Sequence, residues 1–202
     1  MKISEMHQLL HAVAIKKHAD AAILVSSTGI NEKAVSALLE HATASGRVAT
    51  AQGKVMLTPA GQMILQGQYG HHYAALRNEP NCKNAYENFE ILNIQLKQII
   101  TDWQTVSVAG QNLVNDHGDT DYDQKVIGRM ADTHERLEQP LAILSAQVRR
   151  LDIYWKRLCS ALDKVEDGAL EWVSDVRIDS YHTVWFEMHE DLLRIFDRER
   201  VE

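Results

Sequence analysis

The chain has 202 residues, of which 45% are hydrophobic and 24% charged, and carries a formal net charge of −7. That composition is ordinary for a soluble protein and leaves room for one large or two small cores. No apolar run is long enough to span a bilayer, no signal-peptide core opens the chain, and Cys82 and Cys159 give neither a disulfide framework nor a CxxC site. The expected setting is the reducing cytoplasm, without membrane association.

In chain order, Met6, Leu9, Leu10, Val13 and Ile15 recur at mostly helical spacing, and the apolar run Ala21 to Val25 predicts a short second helix. Ser26-Ser27-Thr28-Gly29 reads as a turn. Asn31 is the expected N-cap of a third helix, Glu32 to Ala44, with Val35, Leu38, Leu39 and Ala42 as its buried stripe. Ser45-Gly46 closes that helix, and Arg47 to Thr50 and Lys54 to Thr58 read as two strands around Ala51-Gln52-Gly53. Thr58 then caps a new helix with Pro59 at its first position. This helix is expected to run towards Ala75, loosened at Gly61, Gly67 and Gly70, since each glycine costs about 1 kcal/mol against alanine.

Arg77-Asn78-Glu79-Pro80-Asn81 is the linker candidate, and the expected division is a head at 1–70 and a body at 71–202. Tyr86, Phe89, Leu92, Leu96, Ile99 and Ile100 predict a helix from about Lys83 to Trp103, followed by a long loop from Ser107 to Thr120. Tyr122 to Leu137 is helical in pattern, and Pro140 either kinks it or opens the next helix, Leu141 to Val148. A helix from Leu151 to Val165, a break at Asp167-Gly168, and a final amphipathic helix from Tyr181 to Phe196 capped by Asp179-Ser180 complete the reading. No run of strand type is expected after residue 60. The expected fold class is mainly α: an N-terminal winged helix-turn-helix with a small β-hairpin wing, then an antiparallel helical bundle.

The order helix, helix, turn, helix, hairpin is that of a module commonly used on DNA. On it, Lys33 and Ser36 of the third helix and Arg47 and Lys54 of the wing are the candidate DNA-binding residues. Residues 1–70 carry +2 and residues 71–202 carry −9, a split that suits a DNA-facing head and an anionic body. Glu32 and Glu40 on the same helix oppose a phosphate surface. They favour the other use of such a module, protein contact or dimerisation.

In the body, Asp119, Asp121 and Asp123 invite a calcium reading. That reading fails because Gln124 stands where the turn glycine belongs and Met130 where the bidentate glutamate belongs. Asp119 or Thr120 is instead expected to cap a helix. His182 and His189 share one side of the last helix among apolar residues, so each imidazole needs a partner. With His117, His134, Trp103 and Tyr181 they are the candidate ligand-binding residues of a polar pocket. Packed core histidines and a metal or catalytic site are the other two readings of the same residues. No HExxH, Walker loop, nucleophile elbow or GxGxxG is present. No catalytic residue, metal ligand or cofactor is therefore assigned.

Thr28-Gly29-Ile30-Asn31, the Ala34 to Leu39 stripe, Gly46 and Leu57-Thr58-Pro59-Ala60-Gly61 carry a resemblance. Over about 65 of the 202 residues the chain resembles the winged-helix superfamily that includes MarR-like regulators. The resemblance implies that the second helix of the motif reads DNA and that flanking helices dimerise. Thr101-Asp102-Trp103-Gln104, Asn115-Asp116-His117 and the segment Ser180 to Glu187 are similar to an uncharacterised helical module found after winged-helix segments. Some such modules are related to phosphoenolpyruvate-utilising phosphotransfer enzymes, which implies an accessory role here.

The resulting expectation is a cytoplasmic homodimeric transcriptional regulator that binds double-stranded DNA and a small-molecule effector. Two alternatives are a non-DNA-binding adaptor or accessory subunit of a phosphotransfer-type enzyme, and a metal- or His-dependent enzyme housed in the bundle.

Overall fold

The computed structural model describes residues 3–108 and 110–200, and among them the protein is mainly α. The chain divides into two compact units, Met1–Asn78 with Glu190–Glu202, and Glu79–His189.

The first unit opens with helices α1 (Glu5–Lys16), α2 (Ala21–Thr28) and α3 (Glu32–Ala44). Each start is fixed by a side-chain oxygen that takes an otherwise unpaired backbone N–H: Ser4 from His7, Asp20 from Ile23, and Asn31 from Ala34. Gly29 ends α2 at φ 68°, a left-handed turn that a Cβ would disfavour. Leu9, Leu10, Val13, Leu24 and Val35 are buried and form the unit's core. On α3 the stripe is narrower than its pattern implies, because Val35 and Ala42 are buried while Leu38 and Leu39 are only half covered.

Strands β1 (Val48–Ala51) and β2 (Lys54–Leu57) pair antiparallel, with Val48 opposite Leu57 and Ala51 opposite Lys54. The hairpin gains a third partner from the α1–α2 connection. Ala19 N donates to Val55 O at 3.2 Å and Val55 N donates to Ala19 O at 2.7 Å. Helix α4 (Pro59–Arg77) runs unbroken through Gly67 and Gly70. Leu65, Tyr69 and Tyr73, spaced four apart, bury one face, and this packing outweighs the intrinsic cost of the glycines.

The second unit is built on α5 (Pro80–Gln104), α6 (Thr120–Gln147) and α7 (Leu151–Glu166), with α5 packed along α6 and α6 against α7. Helix α6 continues through the buried Pro140. The proline forfeits one backbone hydrogen bond, but Leu137, Leu141 and Leu144 are buried on either side of it, and this packing carries the helix through. The stretch expected to be a long loop contains a second hairpin, β3 (Thr105–Val108) with β4 (Gln111–Val114), turning at Gly110 with φ 81°. The β-branched residues Thr105, Val106 and Val108 ahead of a glycine turn carry that signal in the sequence.

After a 3-10 turn at Leu170–Trp172, helix α8 (Tyr181–Phe196) contributes Tyr181–His189 to the second unit and the rest to the first. Its last carbonyls are capped inside the first unit: Arg77 donates from Nε to Ile195 O at 2.6 Å and from Nη2 to Arg194 O at 3.2 Å. Among the described residues no helix is long and apolar enough to cross a membrane.

Candidate functional site

The α3–hairpin surface is held in place by local chemistry. Thr58 Oγ1 accepts from Gly61 N at 3.0 Å, capping α4, and donates to Gly46 O at 2.6 Å. Thr58 N in turn donates to Arg47 O at 3.0 Å. The start of α4 is thereby stitched to the residues that leave α3 and enter β1. On the outside, Lys33, Ser36 and Lys54 are exposed and Arg47 is half-buried. Lys54 faces Asp20 at 3.9 Å, with both groups about half exposed, a pairing of little energetic weight. Glu32 and Glu40 are exposed on α3 as well, so the helix presents both signs of charge.

The candidate ligand residues of the second unit separate into two groups. Trp103 and His117 lie ring to ring at 4.3 Å where β4 returns to α6. Asp123 holds this corner. One of its oxygens accepts from Asn115 Nδ2 at 2.9 Å and the other lies 2.9 Å from His117 Nδ1. Asn115 Nδ2 also donates to Trp103 O at 3.0 Å, and Asp119 Oδ1 caps α6 by accepting from Tyr122 N at 3.0 Å. The acidic loop is thus spent on its own backbone and on α6.

The other group forms a line of rings. Trp155 stacks on His134 at 4.4 Å, and His134 meets Tyr181 at 5.8 Å. Tyr181 meets Trp185 at 6.1 Å, Trp185 stacks on Phe89 at 5.4 Å, and Phe89 meets His189 at 5.6 Å. The structure therefore joins His134, Tyr181 and His189 in one buried row, while Trp103 and His117 belong to the hairpin corner. His182 is half-buried at the start of α8, its backbone N–H donating to Val173 O at 3.0 Å.

Several polar atoms of the row have partners. His134 Nδ1 lies 3.2 Å from the Tyr181 hydroxyl and its Nε2 lies 3.6 Å from Cys159 Sγ. Burial depresses the His134 pKa, partly opposed by the carboxylates of Asp163 and Glu138, so the ring favours its neutral form. Burial and then the charge of Asp163 push the Cys159 thiol up, which makes it a weak nucleophile. His189 Nε2 lies 3.1 Å from Glu90, and Trp185 Nε1 donates to Asn93 Oδ1 at 3.1 Å. Burial would raise the Glu90 pKa, but hydrogen bonds to His189, Tyr86 and Asn93 outweigh it and leave Glu90 below the usual carboxylate range.

A third cluster, inside the first unit, was not among the sequence candidates. His11 Nδ1 lies 2.8 Å from the Tyr69 hydroxyl and its Nε2 lies 3.0 Å from the fully buried carboxylate of Asp191. One turn earlier, His7 Nδ1 lies 2.8 Å from Gln68 Oε1, with the His72 ring edge-on at 4.6 Å. Burial and then the neighbouring His71 lower the His72 pKa. The signal in the sequence is a matched pair of i,i+4 spacings, His7 with His11 on α1 and Tyr69 with Tyr73 on α4. Asp191, on another helix, carries no such mark. Among the described residues no group of three or more His, Cys, Asp or Glu is arranged to hold a metal ion.

Comparison with protein-family models, with curated proteins and with solved structures gives no match.

Proposed function

We propose that the first unit is a winged helix that binds double-stranded DNA, with α3 as the reading helix and the β1–β2 hairpin as the wing. The observation that carries this reading is the chain order: α1, the single bridge at Ala19, α2, a turn, α3, then the hairpin closed onto α4. A bridge strand between the first two helices, paired to the hairpin that follows the third, fits a wing supported from beneath. Lys33 and Ser36 on α3 and Arg47 and Lys54 on the hairpin are the residues assigned to DNA. The protein acts as a homodimeric cytoplasmic regulator, with the helical second unit as its support and as the seat of an effector response.

The test is binding of the full chain to pooled genomic fragments at low salt, read by gel shift and sequencing of the retained DNA. Selective retention that Lys33→Glu and Lys54→Glu abolish supports the reading. Retention unaffected by both substitutions, or no retention, overturns it.

A second reading rests on Glu32 and Glu40, which are exposed on α3 and repel phosphate. On that reading the same surface docks a protein, as in an adaptor or accessory subunit. Co-purification of one partner from nuclease-treated extract, lost on Glu40→Lys, separates it from the first.

A further inference from the structure

Between α1, β2, α4 and the end of α8, the first unit holds a groove of about 720 Å³, within the size range of small-molecule sites. Its lining mixes polar and apolar side chains: Gln62 and Gln66 stand beside Leu57, Leu65 and two deformable methionines, Met56 from β2 and Met63 from α4. Methionine, unbranched and polarizable, adapts to irregular apolar shapes. Lys17 and Arg194 line it, and among the described residues no aspartate or glutamate does, in a chain whose net charge is −7. The floor includes Tyr69, whose hydroxyl is committed to His11.

Two independent features mark this place. Lys17 sits at φ 62° and ψ −48°, and His18 N donates to Lys16 O at 2.7 Å, so Lys17 is the centre of a γ-turn of the rare, strained kind. A glycine would adopt this backbone at lower cost, yet the chain places a lysine there, which directs attention to its side chain. The second feature is Arg194. Its Nε is buried and has no hydrogen-bond partner among the described residues, and its Nη2 reaches Glu190 only at 3.7 Å. The groove is thus lined by a guanidinium with donor capacity to spare and by a lysine on a strained turn.

We propose that this groove binds an organic monocarboxylate with an aliphatic body, its head held by Lys17 and Arg194 and its chain lying between Met56 and Met63. The claim goes beyond the DNA reading and is tested without DNA.

Octanoate is the probe and 1-octanol its uncharged match, each titrated into the full chain and followed by calorimetry and by the methionine methyl resonances. Saturable octanoate binding that shifts Met56 and Met63 is expected, with 1-octanol at least about tenfold weaker. Lys17→Gly and Arg194→Gln should each weaken octanoate by about tenfold, the value of one charge-assisted hydrogen bond. Lys17→Gly should also raise the melting temperature, because it relieves the turn; a lysine with only a structural part would not raise stability and lower affinity together. No saturable binding at millimolar octanoate overturns the proposal. So does equal affinity for 1-octanol, or unchanged octanoate affinity in both variants with their circular dichroism intact.

Discussion

A β-carbon added to Gly61 would stand 2.0 Å from the carbonyl oxygen of Arg47. The first turn of α4 therefore lies directly on the backbone that enters β1, and only a residue without a side chain permits that approach. The neighbouring Thr58 uses this closeness, capping α4 and bonding the Gly46 and Arg47 carbonyls with one hydroxyl.

Gly61→Ala should accordingly destabilise the first unit by roughly 1–3 kcal/mol, the usual cost of overpacking, because the atom that must yield is backbone. Hydrogen exchange of the α1–α4 amides measures it. Exchange unchanged in the hairpin and at the start of α4 would show that the contact is not as close as stated. Gly67→Ala, where an added Cβ meets nothing, should be neutral to stabilising.

The Asp191–His11–Tyr69 chain is buried throughout. Removing the carboxylate by Asp191→Ala leaves His11 without its 3.0 Å partner and should cost about 3–5 kcal/mol. Tyr69→Phe, which removes one hydroxyl, should cost about 1–3 kcal/mol. Thermal unfolding followed by far-ultraviolet circular dichroism gives the ranking, and a smaller loss for Asp191→Ala than for Tyr69→Phe would contradict the arrangement.

All four tryptophans lie in the Glu79–His189 unit, so tryptophan fluorescence reports its unfolding separately. His134 has a folded-state pKa below the ordinary histidine value near 6.5, chiefly through burial. Between the two values the unfolded chain binds more protons than the folded one, so stability rises with pH there. The contribution is complete above about pH 6.5 and is lost as pH falls below it. Urea midpoints by fluorescence should fall on acidification through this window, and His134→Gln should flatten the fall. A midpoint in the variant with the full wild-type slope would remove His134 as its cause.

Cys82 is buried and its thiol is pushed up to about 11, by burial first and then by the hydrogen bond and charge of Glu79. Cys159 is raised in the same direction. At pH 8 both should resist iodoacetamide in the native protein and react fully once urea is added. Mass spectrometry of tryptic peptides resolves the two sites. Rapid native labelling of Cys82 would mean that the start of α5 opens readily.

If DNA is the ligand of the first unit, the salt dependence should be shallow. Three cations per head, Lys33, Arg47 and Lys54, imply a slope of log affinity on log salt of about −3 per head. Filter binding across a salt series measures it. A slope much steeper than twice that figure for a dimer would place the phosphate contacts on other residues.

What the sequence determined by itself lay mostly within one helical turn. Asn31 and Thr58 cap helices by reaching three residues along the chain, and α3 and α8 run over the residues their spacing predicts, Glu32–Ala44 and Tyr181–Phe196. Interactions of that range need no partner from elsewhere, so residue order suffices. Tertiary structure decided the rest. Pro140 disfavours an isolated helix, but α6 stays whole where Leu137, Leu141 and Leu144 are buried around it. His134 and His189 of the second unit fall in one row of rings because α5, α6, α7 and α8 each contribute to it. His11 meets Tyr69 across 58 positions and Asp191 from α8, a meeting made by helix packing that no local pattern encodes.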